Sequence, residues 1–301
     1  MGPTLARMAR RAANARAETR RVIAVSRFSS AHVAEGLREA GVETIACDLL
    51  DRSAVADLPP APNVVFMAGQ KFGTADAPSR TWMMNVVVPA MCAERYAGAR
   101  VVAFSTGNVY PLVPVAGTGA RETSAPGPVG EYAQSCLGRE RVFEHAAARY
   151  GTRVAIVRLN YAIDLRYGVL TDLATRIQAG EAVDLSMGYV NVIWQRDANR
   201  AALELLPLAA SPPLTVNVTG TERLSVRELA TALGARLGRA PVFSGREAPD
   251  ALLSDTTRIQ AMLGPPDMPL TTMLDWVAEW VLAGRPLLGK PTHFDTRDGV
   301  F

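Results

Sequence analysis

Tyr132 and Thr106 are two side chains of this 301-residue chain whose hydroxyls could take part in moving a proton. Thr106 ends the run Val101-Val-Ala-Phe-Ser105, which reads as a strand, and Tyr132 stands twenty-six residues later at the start of a helix-like segment that reaches Tyr150. A phenol has an ordinary pKa of about 10, so Tyr132 needs a nearby cation to act as a base at neutral pH. One helical turn on, on the same face, stands Cys136, which cannot supply that charge. The sequence has two lysines, Lys71 and Lys290. Lys71 follows the strand-like Val64-Val-Phe-Met67, and Arg139 lies seven residues beyond Tyr132 on a similar helix face. Either offers positive charge; a solvated Lys71 is the plain alternative. A nucleophilic Cys136 would need a histidine partner, and the commoner role of a buried free cysteine is that of a small hydrophobe.

Ser105-Thr-Gly-Asn-Val-Tyr110 and Tyr132-Ala-Gln-Ser-Cys136 resemble the S-S/T-x-x-V-Y and Y-x-x-S-K segments of the extended short-chain dehydrogenase/reductase family, the branch of NAD-dependent epimerases and dehydratases. The resemblance puts Thr106 and Tyr132 on the catalytic hydroxyls, Asn85 on a supporting position, and Cys136 where the lysine belongs. Gly107-Asn108 replaces the Asp-Glu pair of the dehydratases, which argues against sugar dehydration and leaves epimerisation or carbonyl reduction. It implies a sugar, sugar acid or nucleotide sugar as substrate, met by Asn108, Asn160, Tyr161, Trp194 and Arg196. Arg158, Arg166 and Arg176 are further candidates for a phosphate or carboxylate. The competing expectation is a non-catalytic nucleotide-binding sensor or scaffold of the same fold, since fold alone does not fix function.

The same resemblance places a nicotinamide cofactor against Ser26, Arg27, Asp48, Leu49, Ala68, Gly69, Lys71 and Ser105. Arg27, in place of an acid at the end of the second strand, favours NADP over NAD because a guanidinium accommodates a 2′-phosphate. The dinucleotide fingerprint needs a strand, a glycine turn and a helix. This sequence opens at Met1-Gly2-Pro3 and runs into a helix-like Thr4–Ala13 segment, so Gly2 reads as the last glycine of the turn. The expectation is that the sequence starts at an internal methionine, with roughly a dozen residues of strand and turn preceding it. A genuine start with a vestigial cofactor site stays open, as does a transit peptide, which the serine-free opening disfavours.

The expected fold class is α/β, a doubly wound parallel sheet of Rossmann type with its first strand missing and a smaller C-terminal substrate lobe. Residues 1–160 form the dinucleotide-binding domain; residues 161–301 form mainly the lobe, with some segments returning to the sheet. Strand signals fall at 22–26, 42–48, 63–67, 101–105 and 153–160. Helix signals fall at 31–40, at 80–96 with a break near Pro89, and at 132–150. Leu224-Ser-Val-Arg-Glu-Leu229 reads as an N-capped helix start. Residues 289–298 read as a polar tail that either covers the active site or frays, with fraying favoured.

A net charge of +3 and the lack of aromatic-basic interleaving argue against nucleic acid. Three cysteines without ligand spacing point to no metal and to a reducing cytoplasm, and no apolar run suits a bilayer. Homodimerisation through the catalytic helix is common in the family and is an open expectation here.

Overall fold

In a computed structural model, every residue except 75, 291 and 301 is described. The frame is a four-stranded parallel sheet built from β3 (Asn63–Phe66), β4 (Arg100–Thr106), β5 (Arg153–Leu159) and β6 (Leu214–Val218), in the order β6-β5-β4-β3. Alternation along β4 decides its packing, because successive side chains point to opposite faces. Val101 and Ala103 join Val154, Ile156 and Phe143 on one face, while Val102 and Phe104 join Ala155, Val157 and Val216 on the other. The strands β1 (Ile23–Ser26) and β2 (Glu43–Ala46) form a separate parallel pair. The parallel frame thus divides between β1 and β3, the position at which the sequence reading put the absent central strand. The middle residues of β1 and β3 are only half-buried near that division, whereas Val101 to Thr106 are all buried.

Helix α1 (Gly2–Ala15) packs on α2 (Ala31–Glu39) through Ala6 and Leu37. The chain from Pro78 to Arg95 stays helical through Pro89, contrary to the expected break there. Its irregularity comes earlier, as a π-helical turn over Met83–Val87, and α3 (Val88–Arg95) carries Pro89 in its first turn, where a missing N–H is tolerated. The long α4 (Gly130–Tyr150) ends at Gly151, whose φ of 64° suits a residue without a Cβ.

Helix α4 is held to the sheet by a buried polar network. Arg158 on β5 and Glu140 on α4 pair at 2.7 Å with side chains 6% and 1% exposed. Ser105 donates to Glu140 at 2.5 Å, Arg158 donates to the Tyr110 hydroxyl at 2.7 Å, and that hydroxyl donates to Asn217 on β6 at 2.8 Å. One carboxylate and one guanidinium therefore link α4, β4, β5 and β6.

The lobe after residue 160 has its own core, with α5 (Val169–Ala179), α6 (Val226–Leu237) and α7 (Leu270–Leu282) around Leu173, Leu233 and Val277. Ser225 caps α6 as the sequence suggests, its hydroxyl accepting from Glu228 N at 3.3 Å. The last segment does not fray. Phe294 is fully buried in the lobe core, and Asp172 on α5 accepts from both Thr292 N (2.7 Å) and Thr292 Oγ1 (2.6 Å).

Two stability outcomes follow. Arg158→Met strands Glu140 without its partner, and urea unfolding should register a loss of about 3–5 kcal/mol; a loss below about 1 kcal/mol would make the pair incidental. Phe294→Ala should cost about 3–5 kcal/mol, and an unchanged melting curve would mean that the tail is not docked in solution.

Candidate active site at the head of the parallel sheet

Tyr132 sits in the first turn of α4, and Thr106 is the last residue of β4. Thr106 and Cys136 both act on the Tyr132 phenol, the first lowering its pKa and the second raising it. Thr106 is fixed by Asn108, donating to its Oδ1 at 2.9 Å and accepting from its N–H at 3.2 Å. The short helical turn Gly107–Val109 aims both residues, and a Cβ at Gly107 would crowd the Asn160 side chain at 3.1 Å.

Asn85 organises the floor. It is fully buried in the π-helical turn, with Nδ2 donating to Gln70 O (2.9 Å) and Ser135 Oγ (2.9 Å). Its Oδ1 accepts from Gln70 N at 2.8 Å and from Arg139 Nη2 at 2.7 Å. Asn85 thus joins the loop after β3 to α4.

Burial is the largest influence on the titrating groups. It pushes the Tyr132 phenol far above its usual value, the Cys136 thiol adds to the rise, and Arg139 and Thr106 oppose it. Cys136 is fully buried and its thiol is likewise pushed up, against the pull of Arg139. Lys71 is brought down to about 8 by burial, with Asp172 and Cys136 favouring the charged form. It is therefore not the solvated loop residue of the plain alternative; its Nζ donates to Thr292 O at 3.0 Å. Tyr161, held at a φ of 40°, donates to Phe294 O at 3.2 Å. The tail so brackets the site from the lobe side, and Arg297 and Gly299 line a small cleft with Asn108, Leu112, Met187 and Leu252.

The remaining candidates fall into two groups. Ser26, Arg27, Asp48 and Gly69 are exposed and Leu49 and Ala68 half-buried at the carboxyl ends of β1, β2 and β3, while Gly2 opens α1 with free space where a Cβ would project. These carboxyl ends are where a doubly wound sheet takes ligands. The others have their side chains engaged within the protein. Ser105 faces Glu140, Asn160 donates to Leu252 O at 3.2 Å, and Trp194 packs edge-on against Trp276 at 5.9 Å. The arginines Arg158, Arg166, Arg176 and Arg196 are each paired with a carboxylate of this chain: Glu140, Asp164, Asp295 and Asp197.

Sequence reasoning missed the tail contacts and the part of Glu140; the only signal for the latter is a charged residue on the helix face that carries Cys136 and Phe143. Among the described residues no cluster of candidate metal ligands occurs, and no helix is long and apolar enough to cross a membrane.

Comparison with known proteins agrees with this fold. Residues 7–192 match the sequence model of the NAD dependent epimerase/dehydratase family. No curated protein matches the chain by sequence. Among solved structures, UDP-glucose 4-epimerase from Thermotoga maritima with UDP-glucose superposes with a TM-score of 0.73 at 17% identity, covering 93% of this chain and 96% of that one. UDP-glucose 4-epimerase from Thermus thermophilus with NAD gives 0.73 at 21% identity, covering 91% and 94%. RMD from Pseudomonas aeruginosa with NADPH gives 0.71 at 20% identity, covering 87% and 99%. At these identities the superpositions establish the fold, and the sequence match over more than half of the residues establishes kinship: the chain belongs to the NAD-dependent epimerase/dehydratase family.

Proposed function

We propose that this protein is a nicotinamide-dependent epimerase or carbonyl oxidoreductase acting on a sugar, sugar acid or nucleotide sugar. The observation that carries the reading is the placement of Thr106, last residue of β4, beside the Tyr132 phenol at the carboxyl edge of a parallel sheet. The ligands of the three superposed proteins, UDP-glucose, NAD and NADPH, support the substrate and cofactor classes.

The residues present fit a dinucleotide: exposed Ser26, Arg27 and Asp48 on one side of the division in the sheet and Gly69 on the other stand at the strands' carboxyl ends, and Thr106 lies at the end of β4. Arg27 favours NADP, because its exposed guanidinium suits a 2′-phosphate. The bound nicotinamide would supply hydride exchange with a substrate carbon. Tyr132 takes the proton from the substrate hydroxyl as that carbon is oxidised and returns it on reduction. Thr106 hydrogen-bonds the same substrate oxygen, with its own orientation set by Asn108. Asn85 fixes α4 relative to the loop carrying Gly69 and Gln70, and so sets the height of Tyr132.

Tyr132→Phe keeps the ring and removes the proton carrier, so kcat should fall about 10²–10⁴-fold in a coupled assay with UDP-sugars and NAD or NADP; full activity would reject the assignment. If the wild type binds the dinucleotide without turning over any sugar nucleotide, and Tyr132→Phe binds it equally well, the sensor reading replaces the enzyme. The pH dependence has a defined sign. Tyr132 must be unprotonated to accept the proton, and its pKa is raised, so the rate of alcohol oxidation should climb about tenfold per pH unit from neutral into the alkaline range. A plateau reached below pH 7 would contradict it.

A further inference from the structure

Tyr132, Cys136 and Arg139 occupy positions i, i+4 and i+7 of α4 and therefore form one stripe along the helix. At the far end of that stripe Arg139 is 6% exposed, yet it takes part in none of the ion pairs among the described residues. Its partners are neutral acceptors: Asn85 Oδ1 at 2.7 Å, Phe104 O at 2.9 Å and Asn85 O at 3.3 Å. The Phe66 ring lies 5.8 Å away with the cation over it. A buried charge without a counter-ion is costly and is ordinarily paired.

The surroundings are shaped to hold it. A Cβ at Gly69 would collide with the Arg139 guanidinium, so glycine leaves room for it. Pro89 has no N–H to give to the carbonyl four residues back, that of Asn85, and Arg139 Nε donates to that oxygen instead. The nearest carboxylate in sequence, Glu140, is taken up by Arg158 and Ser105. Arg139 therefore keeps a net positive field directed along the stripe.

We infer that Arg139 is the cation of this active site, its charge favouring the Tyr132 phenolate in place of the lysine that the family carries at position 136. The inference rests on the proposed acid–base role of Tyr132 and deepens it. Arg139 touches neither substrate nor cofactor; it is a positioning residue whose charge acts on Tyr132. An arginine suits the task because it stays charged when buried and its planar fork reaches two carbonyls and an amide oxygen together. The other charged and titratable groups facing Tyr132 and Cys136 are Lys71 from the loop after β3, itself drawn toward Asp172 and Thr292 O, and Glu140, paired with Arg158. Thr106 contributes a neutral hydroxyl.

The test reads Tyr132 itself in ligand-free protein, so that it does not depend on a known substrate. Incorporating 3,5-difluorotyrosine at position 132 makes the phenol more acidic, and its ¹⁹F shift is followed against pH in wild type, Arg139→Gln, Arg139→Lys and Lys71→Met. The expected result is a midpoint raised by about one pH unit or more, tenfold in proton affinity, in Arg139→Gln. Arg139→Lys, which keeps the charge, should shift it by less than half as much, and Lys71→Met less than Arg139→Gln. If Arg139→Gln does not fold, citrulline in place of Arg139 keeps the planar donors and removes the charge, and the same rise is expected. An unchanged midpoint in the folded neutral variant overturns the proposal, as does a larger shift in Lys71→Met, which would move the role to Lys71. A kinetic cycle supplies the second readout: Arg139→Gln should lower oxidation kcat/KM much more in wild type than in the Cys136→Lys background. Equal losses in both backgrounds would mean that Arg139 only braces α4. Retained turnover in Tyr132→Phe, with the ¹⁹F shifts as expected, would instead reject the catalytic reading and leave the electrostatic one standing.

Discussion

The Glu140–Arg158 pair fixes the rotation of α4, and most of the active site depends on that rotation. A helix 21 residues long and packed on a sheet mainly through alanines and Phe143 could settle in neighbouring registers at little energetic difference. A buried carboxylate that must meet one guanidinium and one serine hydroxyl removes that freedom. Its contribution is specificity as much as stability, since burying two charges carries a desolvation penalty that their attraction only partly offsets. Once Glu140 is seated, Arg139 is turned toward Asn85, Cys136 toward the core, and Tyr132 toward Thr106.

This arrangement separates two tasks that a lysine beside the tyrosine would combine. The residue one turn from Tyr132 is an uncharged thiol, and the nearest cation on the helix, Arg139, lies a further turn away. Attraction between charges weakens with distance and strengthens as water is excluded, so an arginine farther off but dry can replace an ammonium that is closer and wetter. The site is accordingly sensitive to packing: Gly69, Pro89 and Phe66 do not meet the reacting groups, yet they determine whether a guanidinium fits beneath them.

Much of this was legible in the sequence. The strands announced themselves as short apolar runs, and Thr106, Tyr132 and Asn85 were singled out because their segments resemble those of a known family. Arg139 was one of two candidate cations in the sequence, which could not show that carbonyls from β4 and the π-helical turn gather around it. The tail was misread for a similar reason. A segment of Thr, Asp, Arg and one Phe has the composition of a loose end, and only the three-dimensional placement of Asp172, Tyr161 and Arg176 gives it partners. The π-helical turn left no trace either, because proline marks where a helix is disturbed without saying on which side the disturbance falls.

The docked tail ties assembly of the site to the late part of the chain. Lys71 meets Thr292 across 221 residues of sequence, and Tyr161 meets Phe294 across 133. Contacts of such separation form slowly, because a long loop must close before they return any stabilisation. The sheet can gather from neighbouring segments while Lys71, near the candidate site, still faces water. In a chain emerging in order from a ribosome, the chemistry-bearing residues are therefore in place long before their surroundings are dry, and completion of the site becomes a late checkpoint on the integrity of the whole fold.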